Sequence, residues 1–330
     1  MAVHFLAMVA GFCILLLASG TGQAQSFDPE PVERPDLALD PTKPLGHLHR
    51  SNWTDLDGLP MNSINAIYQD REGYIWIGTQ NGLARFDGQD FRIYSQSNSP
   101  GLASNQIMDI VGDGSGEFYV GAINGGVHRY EDGRFVNYSA DDGLASNQVE
   151  RLHLDSTGAL WVMTTNAGIS RLHGDDVTTY TTQDGLPDNR TFSAIRGPEG
   201  HILVGTNDGI ARSVPGDSLR FEPDPRYTEL RGASIIDLLV DGDGALWVAT
   251  ASQGLYCIDD REVIHLDEED GLSNQISTLF EDDMGAIWIG TYVAGLGRYY
   301  EGELTTFSMS DGLAANRVEA FAQDRENSLW

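Results

Sequence analysis

Residues 63–83 read SINAIYQDREGYIWIGTQNGL, and this stretch determines the predicted fold. Residues 64–68 alternate between two faces, which is the pattern of a β-strand buried on at least one side. Residues 70–73 (DREG) have the composition of a tight turn, and a second strand follows through Trp76. Asn81-Gly82 is a strong signal for a two-residue hairpin turn. The stretch therefore predicts consecutive antiparallel strands joined by short turns.

The same pattern returns about every 42 residues along the chain. One column of the repeat holds Trp76, Tyr119, Trp161, Leu203, Trp247, Trp288 and Trp330. A second column, fourteen residues earlier, holds Asn62, Asn105, Asn147, Asn189, Asn274 and Asn316, with Ala233 in the fifth unit. A period of 40 to 50 residues with strands and turns but no helical pattern is typical of a β-propeller. Four antiparallel strands fit each period, so the fold class predicted is all-β.

The number of repeats predicts how the ring closes. The tryptophan column has seven members, and Trp53 precedes Gly58 by five residues, as the outer-strand aromatics do in later units. We therefore predict a seven-bladed propeller in which residues 47–54 supply the outer strand of the last blade. Such an arrangement leaves no open sheet edge. Because the third strand of that blade would lie beyond Trp330, the last blade is expected to be incomplete and the sequence to be a fragment.

The N-terminal region differs from the repeats. Val9 to Ala18 is an apolar run of signal-peptide length, with small residues following it. We predict a signal peptide over residues 1–24, a proline-rich acidic linker over 25–46, and the propeller over 47–330. The chain is thus expected to be exported.

Composition restricts the classes of partner. The formal net charge is −29, from 49 acidic and 20 basic residues. Such a surface repels phosphate groups, so we expect no nucleic acid to bind this region. We also expect no electrostatic docking of this region on anionic lipid. Without the signal peptide, Cys257 is the one remaining cysteine, so no internal disulfide and no cysteine-based zinc site can form.

Three stretches carry a resemblance to a known family. Residues 63–83, residues 282–291 (DDMGAIWIGT) and residues 53–60 (WTDLDGLP) resemble the two-component regulator propeller repeat. The resemblance implies the periplasmic sensor region of a membrane-spanning signalling protein, with a histidine kinase or a diguanylate cyclase as output. It also implies a small-molecule or glycan-derived ligand, a homodimer at full length, and membrane attachment only through segments that this sequence does not contain.

The repeat accounts for most candidate chemical sites. Residues 241–244 (DGDG) could begin a calcium loop, but they occupy the same turn as residues 70–73. His47 and His49 could form half of a metal site, yet no second pair follows. The strict register of the tryptophan column favours packing between blades over a sugar-binding stripe. We expect no catalytic residue, no metal and no cofactor.

A ligand site is expected at the central channel, on the face formed by the loops between blades. Residues that break the repeat are the better candidates for ligand binding, namely Arg190, Arg226, Tyr227 and Arg231. The function predicted is ligand sensing without catalysis. Two alternatives remain open: an enzyme on the same scaffold, such as a lyase resembling the streptogramin-inactivating propellers, and a free periplasmic interaction scaffold.

Overall fold

The computed structural model describes residues 51–214, 219–259 and 261–330. Within these ranges the strands form six sheets, each of four antiparallel strands in chain order, and each sheet is one propeller blade. The strands of blade 1 are β1 (Ile64–Gln69), β2 (Ile75–Thr79), β3 (Gly82–Phe86) and β4 (Phe91–Tyr94); those of blade 2 are β5 (Ile107–Gly112), β6 (Phe118–Ala122), β7 (Gly126–Glu131) and β8 (Arg134–Tyr138); those of blade 3 are β9 (Val149–Leu154), β10 (Leu160–Thr164), β11 (Ile169–His173) and β12 (Asp176–Tyr180).

The second half of the chain repeats this order. The strands of blade 4 are β13 (Thr191–Arg196), β14 (Ile202–Thr206), β15 (Gly209–Val214) and β16 (Arg220–Pro223); those of blade 5 are β17 (Ile235–Val240), β18 (Leu246–Thr250), β19 (Leu255–Ile258) and β20 (Val263–Leu266); those of blade 6 are β21 (Ile276–Glu281), β22 (Ile287–Thr291), β23 (Leu296–Tyr300) and β24 (Glu303–Phe307). The all-β class and the four-stranded blades are therefore as predicted.

The predicted number of seven blades is wrong, because the part of the chain that the structure describes forms six. Residues 313–330 contain no strand, only an isolated bridge between Gln323 and Leu329. Residues 51–54, predicted as part of an outer strand, are irregular, and Thr54 instead caps a 3₁₀ turn, Asp55–Asp57. The physical reason is that the hairpin around Gln323 has no further strand beside it, and an isolated two-stranded hairpin is marginal. The predicted signal peptide, the linker and residues 47–50 lie outside the described residues.

Residues 313–330 nevertheless contact both ends of the blade series. On one side, Val318 N donates to Thr291 O of blade 6 at 3.0 Å. On the other, Arg325 donates to the main-chain oxygens of Asp70 and Arg71 in blade 1, at 2.8 and 2.9 Å. The Trp330 and Trp53 rings also stack, with centroids 5.2 Å apart. This segment therefore lies between blade 6 and blade 1.

Each tryptophan of the repeat is paired with an aspartate six residues earlier. In blade 1, Trp76 Nε1 donates to Asp70 Oδ2 at 2.7 Å, while Asp70 Oδ1 accepts the main-chain N–H groups of Glu72 and Tyr74. The same indole bond recurs at Trp161, Trp247, Trp288 and Trp330, at 2.7 to 3.0 Å. One carboxylate thus fixes the hairpin turn and also satisfies the indole donor, so both buried polar groups are paired.

Blade 4 lacks both members of this pair. Gly197 stands in the aspartate position and Leu203 in the tryptophan position, and Leu203 is fully buried. A Cβ at Gly197 would lie 2.7 Å from Leu203 Cδ1, so the leucine fills the space beside the turn. The two departures from the repeat are one coupled change rather than two irregularities.

The hydrophobic core lies between neighbouring blades. Trp76 of blade 1 packs on Phe118 of blade 2, with ring centroids 4.8 Å apart, in a cluster that draws buried residues from both sheets.

The asparagine column fixes the connections between blades. The side-chain oxygen accepts a main-chain N–H of the preceding loop at 2.7 to 2.9 Å in Asn62, Asn105, Asn147, Asn189 and Asn316. Asn274 differs, since its buried Oδ1 has no hydrogen-bond partner among the described residues.

Candidate functional site

The first strand of every blade carries a β-bulge that skips its second residue. Bulges re-aim the side chains beside them and are common next to functional sites. The residue directly after the bulge is Ala66, Asp109, Arg151, Ser193, Asp237 and Thr278 in blades 1 to 6. Charged and hydroxyl side chains thus share one column of strands that are otherwise largely apolar.

Arg151 connects three blades through this column. From β9 in blade 3, its Nη2 donates to Ser277 O in blade 6 at 2.8 Å. Its Nη1 lies 3.4 Å from Asp237 Oδ2 in blade 5, and 29% of the Arg151 side chain is exposed against 13% for Asp237. An arginine that reaches two other blades must cross the centre of the ring, so these contacts locate the central channel.

The two aspartates of the column are held by donors from neighbouring blades. Asp237 accepts Leu279 N at 3.0 Å and Ser193 Oγ at 3.2 Å. Asp109 Oδ2 accepts Leu152 N of blade 3 at 2.8 Å. Burial raises the pKa of Asp109, although the positive charge of Arg151 opposes the shift. The centre of the propeller is therefore a polar network that links blades 2 to 6.

A cavity of about 150 Å³ adjoins this network. Its polar lining comes from Asn65, Asp109, Arg151, Thr278 and Glu319, and its apolar lining from Ala66, Ile67, Met108, Ile110, Ala320 and Phe321. The cavity thus offers one guanidinium, two carboxylates and neutral donors to a small polar ligand.

The mouth of the channel lies at the end where the blade-connecting loops enter the first strands. Arg317 stands over the ring of Tyr292, 5.3 Å from its centroid, and is hydrogen-bonded to Glu319. Burial raises the pKa of Tyr292, and the Glu319 carboxylate adds to the shift. Arg190, directly before β13, lies 5.0 Å from the Phe192 ring centroid. Arginine–aromatic contacts therefore lie beside two of the first strands, in blades 4 and 6.

The predicted ligand-binding residues do not form one site. Arg190 lies directly before β13 and over the Phe192 ring, whereas Arg226 is ion-paired with Asp224 and Glu199 at 2.7 and 2.8 Å. The Asp224 hydrogen bond raises the pKa of Arg226 above its usual value. Tyr227 is buried in the core between blades 4 and 5, and Arg231 ends a 3₁₀ segment, Pro225–Leu230. These three residues shape an irregular connection.

Sequence reasoning missed the column of Asp109, Arg151 and Asp237. A usable signal was present: when the repeats are superposed on the tryptophan column, the position ten residues earlier is charged in blades 2, 3 and 5. A buried strand position that changes from alanine to aspartate to arginine is not explained by packing.

The described ranges contain no cluster of three or more histidine, cysteine, aspartate or glutamate side chains able to hold a metal ion. In residues 241–244, Asp241 accepts Ala245 N at 2.8 Å and the Trp247 indole at 2.7 Å. His47 and His49 lie outside those ranges. No helix within them has the length and apolar character to cross a bilayer.

Comparison of the sequence with known families agrees with the repeat. The profile of the two-component regulator propeller matches residues 58–81 and 270–293, which lie in blades 1 and 6. These two segments carry the repeat of the two-component regulator propeller family. Among curated proteins, Histidine kinase P4 of Formosa agariphila is 46% identical to this regulator propeller over 43 residues, which is 13% of the chain and 3% of that kinase.

Solved structures share the fold of this regulator propeller at low sequence identity. The extracellular domain of BT3049 from B. thetaiotaomicron, assigned to the hybrid two-component systems, superposes with a TM-score of 0.73 at 21% identity, over 85% of this chain and 40% of that one. A streptogramin B lyase superposes with a TM-score of 0.62 at 16% identity, over 83% of this chain and 91% of the lyase. The chain thus spans less than half of the BT3049 extracellular domain and most of the lyase.

Proposed function

We propose that this propeller is the extracytoplasmic ligand-sensing region of a transmembrane signalling protein, with a histidine kinase or diguanylate cyclase as output. The observation that carries the proposal is the match of the regulator propeller profile in blades 1 and 6. The similarity to a histidine kinase and the shared fold with an extracellular domain support it. Periplasmic location after removal of residues 1–24 and dimerisation at full length belong to the same proposal.

The central cavity supplies a mechanism for sensing. A small polar or glycan-derived ligand that bonds to Arg151 competes with Ser277 O and Asp237 for the guanidinium. Because these contacts join blades 3, 5 and 6, their exchange would alter how the blades are held together. A ligand shifts a conformational equilibrium only by its differential affinity for the two states, and this exchange provides one.

Location is tested by fusing alkaline phosphatase after Trp330, since that enzyme is active only outside the cytoplasm. We expect activity from the full chain and none from a variant that lacks residues 1–24. Activity confined to the cytoplasm, measured with a β-galactosidase fusion at the same site, would refute the proposed topology.

Ligand binding at the channel is tested by a thermal-shift screen of amino acids and of neutral and acidic disaccharides. Any compound that raises Tm should do so in the wild type and in Arg261→Met, whose side chain is 90% exposed. In Arg151→Met the shift should be lost. A shift that persists in Arg151→Met would place the ligand elsewhere.

The lyase fold is the observation that favours a second candidate, an enzyme. The same compounds, incubated with the protein and analysed by mass spectrometry, separate the two functions. Binding without conversion supports sensing, whereas steady product formation that is lost in a channel variant would establish an enzyme.

A further inference from the structure

A cleft between the outer strands of blades 1 and 2 departs from the repeat. Its volume is about 590 Å³, within the range of small-molecule sites. Arg92 and Tyr94 of β4 form one wall, Arg134 and Phe135 of β8 the other, and residues 98–101 complete it. Both arginines are exposed, and within the described residues neither forms an ion pair. The nearby Glu131 is paired with Arg129 instead, at 3.6 Å.

The loop beside this cleft is longer than its equivalents. Gly101 follows Tyr94 by seven residues, whereas Gly143 follows Tyr138 by five. The longer loop is fixed by its own hydrogen bonds: Asn98 Oδ1 accepts Ser95 N at 2.8 Å, and Asn98 Nδ2 donates to Ile93 O at 3.0 Å. Since a rigid loop loses little entropy on binding, the cleft is preorganised for a ligand.

Gly101 sets the distance between the two walls. Its φ is +90°, and a Cβ at this position would lie 2.1 Å from Phe135 O. The loop main chain therefore rests directly on β8, beside Arg134.

Blade 1 also contains a like-charge pair that the fold does not explain. Arg85 of β3 lies directly opposite Arg92 of β4. The residues opposite the equivalent arginines of other blades are neutral or acidic, namely Val136, Thr178, Glu222 and Thr305. In blade 4 the opposite pair is a salt bridge, with Arg212 Nη2 2.6 Å from Glu222 Oε1.

Like charges directly opposite each other on a sheet are destabilising, and a bound anion would offset that cost. Arg85 is stacked on Tyr74, with its guanidinium carbon 4.1 Å from the ring centroid, whereas the guanidinium carbon of Arg92 lies 5.1 Å from the ring centroid of Tyr94 in the cleft wall. The net charge of the chain is −29, so a cleft with two arginines that form no ion pair within the described residues is an exception. Such a cleft favours a negatively charged ligand.

We propose that this cleft binds a ligand carrying at least two oxyanionic groups, carboxylates or sulfates, held between Arg92 and Arg134. The site is separate from the central cavity, and its test measures binding alone. Failure here would leave the proposed sensing function standing, and failure of the topology experiment would leave this site standing.

The test is isothermal titration calorimetry of the full chain with trigalacturonate, a disulfated disaccharide and the neutral maltotriose. We expect one or both anionic probes to bind and maltotriose not to bind. Tighter binding by trigalacturonate would identify carboxylate as the source of the anion, and tighter binding by the disulfated probe would identify sulfate.

Arg92→Thr introduces the residue that blades 3 and 6 carry in this position, so the variant should fold. We expect it and Arg134→Thr each to weaken anion binding about tenfold or more. Arg261→Thr is the matched control and should bind as the wild type does. Absence of binding by both anionic probes, equal binding of maltotriose, or unchanged affinity in both cleft variants would overturn the proposal.

A second measurement needs no ligand. If Arg92 is strained by Arg85, then Arg92→Thr should raise Tm by about 1 °C in low salt, and the gain should vanish near 1 M salt, where charges are screened. A lower Tm for Arg92→Thr at low salt would show that Arg92 stabilises the sheet, and would overturn the like-charge argument.

Discussion

Replacing His128 by glutamine is expected to abolish much of the acid sensitivity of this propeller. His128 is fully buried in β7. Its Nε2 accepts Ala103 N at 2.9 Å, so Nδ1 carries the proton and faces Val120 O at 3.3 Å. Burial lowers the pKa of His128 from 6.5 to about 4, because the charged ring would be desolvated and would lose the Ala103 bond.

The sign and size of the change in stability with pH follow from the linkage between proton binding and folding. A pKa lowered by folding contributes stability that is present above the unfolded value of 6.5 and is lost as the pH falls toward the folded value of about 4. With these two values, His128 alone removes about 2 kcal/mol of unfolding free energy between pH 7 and pH 5. The loss reaches about 3 kcal/mol by pH 4.

The assay is urea unfolding of wild type and His128→Gln at pH 7.5 and pH 5. Glutamine can accept from Ala103 N and donate to Val120 O without titrating. We expect the stability of the variant relative to the wild type to rise by about 2 kcal/mol at the lower pH. His173→Gln, at an exposed site in β11, is the control and should show no such change. A difference between His128→Gln and wild type that is independent of pH would refute the reasoning.

Three further predictions concern other contacts. Trp288→Leu should lower the unfolding free energy by about 3 kcal/mol. The double variant Trp288→Leu/Asp282→Gly, which reproduces the blade 4 pair, should lose at least about 1 kcal/mol less than the sum of the two single losses. Strictly additive losses in this double-mutant cycle would contradict the coupling. Asp109→Asn should gain stability relative to wild type as the pH rises above about 4, because burial raises the pKa of Asp109 and its ionisation opposes folding. Urea midpoints of both proteins at pH 3.5 and pH 7 measure this gain, and a difference that stays constant between the two pH values would disprove it. Arg325→Ala should lower the unfolding free energy by about 1 kcal/mol and increase amide exchange near Trp330, because two bonds to blade 1 are removed; unchanged exchange there would argue against the contact.

The strands and turns could be predicted from the sequence because each repeat encodes them locally. The Asp70 turn and the Trp76 strand follow from residue type and spacing alone. The number of blades could not be predicted in this way. Trp330 keeps the repeat signature and bonds to Asp324, yet a sheet needs further paired strands, and that is a property of tertiary structure.

The candidate sites were harder to predict for a related reason. That repeat-breaking residues bind ligand stays a prediction, but a break in the repeat can also have a packing reason: Arg226 breaks the repeat and is ion-paired with two carboxylates. Arg151 stands at a strand position whose residue type varies between blades, and it reaches the channel because a bulge and the ring geometry direct it there. The cleft beside Arg92 depends on a cross-strand register that only the folded sheet reveals.

The shared hydrogen bond between aspartate and indole has an evolutionary consequence. Loss of either partner alone would leave a buried polar group without a hydrogen-bond partner and lower the unfolding free energy by about 1–3 kcal/mol. Single substitutions are therefore selected against. Divergence of these modules should therefore proceed in correlated pairs, as Gly197 with Leu203 illustrates. Blade 2 differs: Asp113 is solvent-exposed and accepts Ser115 N of its own turn at 2.8 Å, so Tyr119 in place of an indole leaves no buried carboxylate without a partner there.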